Sequence, residues 1–208
     1  MKLTEKDALI IVDVQNDFLP GGALAVSEGD QIIPVINLIQ EKFDFIVATQ
    51  DYHPADHKSF AANHEGAAVG ELIEWQDNLQ ILWPVHCVQE TPGANFHKDL
   101  NHQKWKAIIK KGIDPNFDSY SAFFDNAHQI DTGLTSYLRD NGIERIFICG
   151  LALDYCVRFT AIDANELNFD TYLITDATRA VNMNPEDGKE TLEDLESGGV
   201  KLITSDDL

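Results

Sequence analysis

Three residues of this sequence have the types needed for nucleophilic catalysis: Cys156, Asp13 and Lys111. A cysteine sulfur attacks an acyl carbon, a carboxylate beside it takes the thiol proton, and a lysine steadies the anionic charge that develops. A second set, Asp51, His53, His57 and His86, supplies one carboxylate oxygen and up to three imidazole nitrogens. Such donors suit zinc, iron or manganese and do not choose between them. Each residue alone also has a plainer reading. Asp13 could cap a turn, Lys111 could end a strand in solvent, and Cys156 could be a small buried hydrophobe.

The elements around these residues decide whether they can meet. Ile146-Phe147-Ile148-Cys149 is a wholly apolar run, the pattern of a strand buried on both faces. Gly150-Leu151-Ala152-Leu153-Asp154-Tyr155-Cys156 follows, and apolar positions 157, 161 and 164 then predict a helix over 157–167. Cys156 therefore falls in the first turn of a helix leaving a central strand, where free N–H groups and the helix dipole favour a thiolate. Ala8 to Val14 reads as the first strand, with Asp13 at its carboxyl end, and 44–50 as the second, ending at Asp51-Tyr52-His53. Lys106 to Gly112 reads as the third strand, with Lys111 at its end.

Helices are predicted from about Pro34 to residue 43, over 130–138 before Asn141-Gly142, and over 186–196. Further strands are predicted at 170–175 and 201–204; residues 61–80 carry no strong period and read as an excursion with a short helix. The stretches 83–97 and 118–124 read as ordered loops, the second of them lining something. Strand and helix alternate, so the fold class is α/β: a doubly wound, mainly parallel six-stranded sheet with helices on both faces. In such a sheet the carboxyl ends of the strands share one edge, and Asp13, Lys111 and Cys156 would gather there.

At 208 residues the chain, 1–208, is expected to form a single domain. Fifteen basic against 35 acidic residues give a formal charge of -20, which disfavours nucleic acid and anionic membrane surfaces and leaves a small neutral molecule as the expected partner. Three cysteines without framework spacing, and an N-terminus that reaches a strand by residue 8, point to a reduced, cytoplasmic protein. Assembly into a homo-oligomer is left open.

Longer motifs add to this reading. Ile10-Ile11-Val12-Asp13-Val14-Gln15-Asn16-Asp17-Phe18, Thr49-Gln50-Asp51-Tyr52-His53, Trp83-Pro84-Val85-His86-Cys87-Val88, Lys111-Gly112 with Asp118-Ser119-Tyr120-Ser121-Ala122-Phe123, and Ile174-Thr175-Asp176-Ala177 run through nearly the whole chain. With them the chain resembles the cysteine hydrolases of the isochorismatase-like superfamily and, within it, the nicotinamidases (pyrazinamidases). The resemblance implies a three-layer, Rossmann-like fold and an amidase that hydrolyses nicotinamide to nicotinate and ammonia through a thioester, in NAD salvage, with pyrazinamide a second substrate.

Asp13, Lys111 and Cys156 would then be the catalytic triad, and the N–H groups of Ala152 and Cys156 the oxyanion hole, beside a cis Leu151–Ala152 bond. Asp51, His53 and His86 would hold one divalent metal ion, zinc first, with iron or manganese as alternatives; the fourth place falls to His57, Ser59 or water, since members differ. Phe18, Trp83, Tyr120 and Tyr155 would line the ring pocket. The competing readings are another cysteine amidase of the superfamily acting on a carbamoyl or ureido group, and a non-catalytic ligand-binding domain.

Overall fold

The structure is a computed structural model that describes residues 1–76 and 78–208. Six strands, β1 (Asp7–Val12), β2 (Phe45–Asp51), β5 (Ala107–Lys111), β6 (Arg145–Leu151), β7 (Asp170–Arg179) and β8 (Lys201–Ile203), form one sheet in the order β5-β2-β1-β6-β7-β8. Every pairing in it is parallel. The chain builds outward from β1 to β2 and β5, then crosses back to lay β6 on the other side of β1. The reversal between β1 and β6 opens a crevice at their carboxyl ends, as in doubly wound sheets generally.

Side-chain alternation along β1 divides the core into two halves. Leu9 and Ile11 pack on one face with Ile32, Ile33, Ile36 and Ile39 of helix α1 (Ile32–Gln40). Ala8, Ile10 and Val12 pack on the other with residues of α2 (Leu134–Asp140), α3 (Arg158–Glu166) and α4 (Asp187–Ser197). Both faces are covered, which is why β1 and β6 are continuously apolar rather than alternating. The expected doubly wound sheet is thus present, and its six strands are parallel throughout.

Three local features differ from the sequence expectation. Residues 72–81 contain two short antiparallel strands, β3 (Leu72–Trp75) and β4 (Asn78–Ile81), in the stretch read as an excursion with a short helix. Each has only four residues, and Leu72 and Leu79 face solvent, so no two-residue apolar period marks them. β7 runs four residues past the expected end, because a shift in register after Ile148 lets Thr178 and Arg179 pair with Gly150 and Leu151. The turn before α3, Leu153–Val157, is a single π-helical turn rather than the first turn of an ordinary helix.

Gly150 is required where β6 passes β1. Its φ is +113°, and a Cβ there would lie 2.0 Å from the Val12 carbonyl oxygen. Close approach of these two strand ends brings the segment after β6 against the residue after β1, which is Asp13.

Candidate active site

Asp13 stands one residue beyond β1 with φ +48°, a left-handed conformation that aspartate tolerates better than most residues. Its carboxylate is buried and divided between two tasks. Oδ1 accepts a hydrogen bond from the Thr49 hydroxyl at 2.7 Å, while Oδ2 lies 2.9 Å from Lys111 Nζ. Lys111 arrives from the end of β5, two strands from β1 in the sheet order. Its ammonium also donates to Asp51 Oδ1 at 2.9 Å, the Ser119 carbonyl at 2.7 Å and Cys156 Sγ at 3.4 Å. The three expected chemical residues therefore meet around one buried cation.

Charge balance sets the protonation of this group. Burial disfavours the Lys111 ammonium, but Asp13 and Asp51 override it and hold its pKa well above the ordinary lysine value. Burial pushes the Asp13 carboxyl up, opposed by Lys111. Burial also drives the Cys156 thiol well above its usual range, helped by the charges of Asp13 and Asp51 and opposed by Lys111. Burial therefore favours the thiol over the thiolate that a place at a helix start suggests, and Lys111 opposes it only in part. A proton acceptor is needed at the moment of attack.

The Ala152 carbonyl accepts from the Tyr155 and Val157 N–H groups at 3.1 Å each, and this winds the π-helical turn. The Leu151–Ala152 bond is cis. Ala152 and Cys156 both line a cavity whose other walls are Phe18, Trp83, Tyr120, Tyr155 and His86, closed by Leu24 and Val181. Trp83 packs edge-on against Tyr155 with ring centroids 4.9 Å apart, and its Nε1 donates to the Tyr120 hydroxyl at 3.0 Å. All four expected pocket aromatics line this cavity.

At the other end of the cavity Asp51, His53 and His86 present three ligand atoms within 4.8 Å of one another. The Nδ1 atoms of His53 and His86 face the Gly112 and Pro84 carbonyls at 2.9 and 2.8 Å, so each Nδ1 is the protonated nitrogen. Both Nε2 lone pairs then point toward Asp51 Oδ2, at 3.1 and 3.6 Å. The His53 Nε2, wholly buried, has no hydrogen-bond partner among the described residues. Three converging lone pairs repel unless a cation lies between them, which is the donor set of a metal site. Without a metal, a proton must serve: burial works to keep His53 neutral, but Asp51 overrides it and raises its pKa. Burial likewise works against the Asp51 charge, and His53 and Lys111 nevertheless hold its carboxyl well below the ordinary value.

His57 stands apart from this trio and groups with His53 and Asp118. Its Nδ1 is occupied by Ser59, through the hydroxyl at 2.7 Å and the N–H at 3.1 Å, and burial, then His53, lowers its pKa to about 4. His57 Nδ1 and Ser59 Oγ are thus partnered with each other.

Thr49, Asp118, Leu24 and Val181 also belong to the site, although nothing in the sequence analysis marks them as site residues. Thr49 lies in a quoted motif and alternates with Asp51 along β2, a signal that was available. Leu24 and Val181 come from loops with no pattern to mark them.

Residues 7–207 match the family model described as isochorismatase domain. A nicotinamidase of Acinetobacter baylyi is 45% identical over 99% of this chain and 95% of its own length. Among solved structures, a nicotinamidase and pyrazinamidase of Acinetobacter baumanii superposes with a TM-score of 0.96 at 45% identity, covering 99% of each chain. The pyrazinamidase of Pyrococcus horikoshii in complex with zinc gives 0.78 at 42% identity, covering 96% of this chain and 99% of the other. With this sheet order, this gathering of Asp13, Lys111 and Cys156, and these likenesses over almost its full length, the chain belongs to the isochorismatase-domain family and, within it, to the nicotinamidases.

Proposed function

We propose that this protein hydrolyses nicotinamide to nicotinate and ammonia through a thioester on Cys156, and accepts pyrazinamide as well. The observation that carries the reading is the position of Lys111 Nζ, 3.4 Å from the Cys156 sulfur and 2.9 Å from both Asp13 and Asp51. One cation thereby joins a nucleophile and its base to a metal-type donor set on the wall of the same aromatic cavity.

Asp13 takes the thiol proton as the sulfur attacks the amide carbon, and its raised pKa suits it to hold that proton briefly. Lys111 keeps the newly formed thiolate and the carboxylates from repelling one another. The N–H groups of Ala152 and Cys156 receive the negative charge on the carbonyl oxygen, a contribution of about 3–4 kcal/mol to barrier lowering in comparable acyl-transfer sites. Asp13 then gives its proton to the departing nitrogen, which leaves as ammonia. Water attacks the thioester, Asp13 accepts the water's proton, nicotinate departs, and the proton returns to sulfur.

Asp51, His53 and His86 would hold a divalent ion, zinc by their borderline N and O chemistry and by the zinc-bound relative, with the fourth place falling to His57, Ser59 or water. Bound there, the ion would supply a Lewis acid for the pyridine nitrogen. Trp83, Tyr120, Tyr155 and Phe18 hold the ring plane so that the carboxamide faces Cys156.

We read the whole chain as one catalytic domain acting in NAD salvage. Three free, buried thiols support a reducing compartment, the cytoplasm, and no helix among the described residues is long and apolar enough to cross a membrane. The test is ammonia release from nicotinamide by the zinc-loaded protein, beside Cys156→Ala and a chelator-stripped sample. Activity lost in the variant, lost on stripping and restored by zinc supports the reading; no ammonia from intact, metal-loaded protein overturns it.

A further inference from the structure

Asp154 lies two residues before Cys156 in the π-helical turn, is 7% exposed, and has no part in the reaction as described above. Both of its oxygens are committed to a distant segment. Oδ1 accepts the Val181 N–H at 2.9 Å and Oδ2 the Asn182 N–H at 2.8 Å. This is a bidentate grip by a carboxylate on two successive backbone donors, stronger than neutral hydrogen bonds of the same length.

What it grips is a wall of the cavity. Val181 lines the cavity beside Leu24, and the neighbouring Met183 sulfur meets the Tyr155 hydroxyl at 3.1 Å. Asn182, at φ +53°, accepts the Gly188 N–H through Oδ1 at 2.8 Å and so anchors the start of α4. The segment 180–184 therefore touches the nucleophile turn at two points, Asp154 and Tyr155, and its own backbone follows no sheet or helix ladder.

We propose that Asp154 is a positioning residue that locks the Val181 wall to the Cys156 turn, so that ring fit and nucleophile placement are set together and Val181 limits which substituted rings enter. This rests on the amidase reading above. Asp154→Asn keeps the side chain's shape but turns one acceptor into a donor facing an N–H group; Val181→Ala trims the wall and leaves the grip intact.

The experiment measures ammonia release from nicotinamide and from ring-methylated nicotinamides by zinc-loaded full-length protein. Alkylation of Cys156 by iodoacetamide, without substrate, is followed in parallel by peptide mass. Asp154→Asn is expected to raise KM for nicotinamide about tenfold, the equivalent of losing one hydrogen bond of about 1.4 kcal/mol, with a smaller change in kcat. It should also change the alkylation rate several-fold. Val181→Ala is expected to shift kcat/KM toward at least one methylated ring with the alkylation rate unchanged. If Asp154→Asn leaves both KM and alkylation as in the parent, or if Val181→Ala does not alter ring preference, the inference is overturned. If the parent releases no ammonia at all, the amidase reading fails instead, and the alkylation arm still reports whether Asp154 governs the Cys156 turn.

Discussion

Lys111 and Asp51 are partners twice over: they face each other in register across β5 and β2, and their side chains meet at 2.9 Å. A sheet pairing thus delivers the ammonium to the metal-side carboxylate, and from there it reaches Asp13 and Cys156. Neither half of the site can be altered electrically without the other sensing it.

Lys111→Met should therefore damage both stability and turnover. It leaves Asp13 and Asp51 buried without the cation between them, and breaking such a group costs about 3–5 kcal/mol. Turnover should fall by at least about 10²–10³-fold, the scale seen when one electrostatic stabiliser is removed. Urea denaturation and ammonia release check the two parts; a variant of parental stability would show that the carboxylates are neutralised some other way.

Cys156→Ala should abolish ammonia release, by at least about 10⁴-fold as for other nucleophile deletions. Metal content should stay at the parental level, because Sγ is not among the three converging ligand atoms. Metal analysis of the purified variant separates the two roles, and a loss of metal would place the sulfur in the wrong half of the site.

The resting thiol gives a pH dependence of definite sign. Burial raises the Cys156 pKa above 9.0, so below that value the thiolate fraction grows about tenfold per pH unit. Iodoacetamide labelling of metal-stripped, substrate-free protein should climb steadily from about pH 6 to about pH 9 without a plateau. Lys111→Met, lacking the one charge that opposes the rise, should label more slowly throughout. A plateau reached by neutral pH would mean a preformed thiolate and contradict the charge balance above.

Gly112→Ala tests the metal site without replacing a ligand. Gly112 has φ +61°, and a Cβ there would lie 2.4 Å from the His53 ring while its carbonyl fixes the His53 tautomer. Zinc affinity should drop about 10–100-fold, as for other residues that orient a metal-bound histidine. Competition with a chromogenic chelator measures it; unchanged affinity would mean that His53 does not hold the ion.

Much of this protein was legible in its sequence because burial leaves a pattern. β1 and β6 are covered on both faces and so read as unbroken apolar runs, and Asn141-Gly142 marks where α2 stops. The chemical residues follow those runs directly: Asp13 after β1, Lys111 at the end of β5, and Cys156 one turn after β6. Parallel strands place their carboxyl ends on one edge, so order along the chain already implied a meeting. The four pocket aromatics, and the choice of Asp51, His53 and His86 out of the donor set that includes His57, rest on motif resemblance rather than on any period.

Tertiary structure alone decided the rest. A linear reading put Cys156 at the positive end of a helix and expected a thiolate. Only folding buries the sulfur, and that burial, helped by Asp13 and Asp51, pushes the thiol up. His57 and His86 are indistinguishable as donors in the sequence, yet one turns its Nδ1 to Ser59 and the other turns its Nε2 to Asp51. The wall formed by Val181 and its hold on Asp154 join residues 27 positions apart. Local sequence specifies which groups are present and which element carries them; direction, mutual distance and the field in which a proton moves belong to the packed molecule, because each depends on atoms the chain brings from elsewhere.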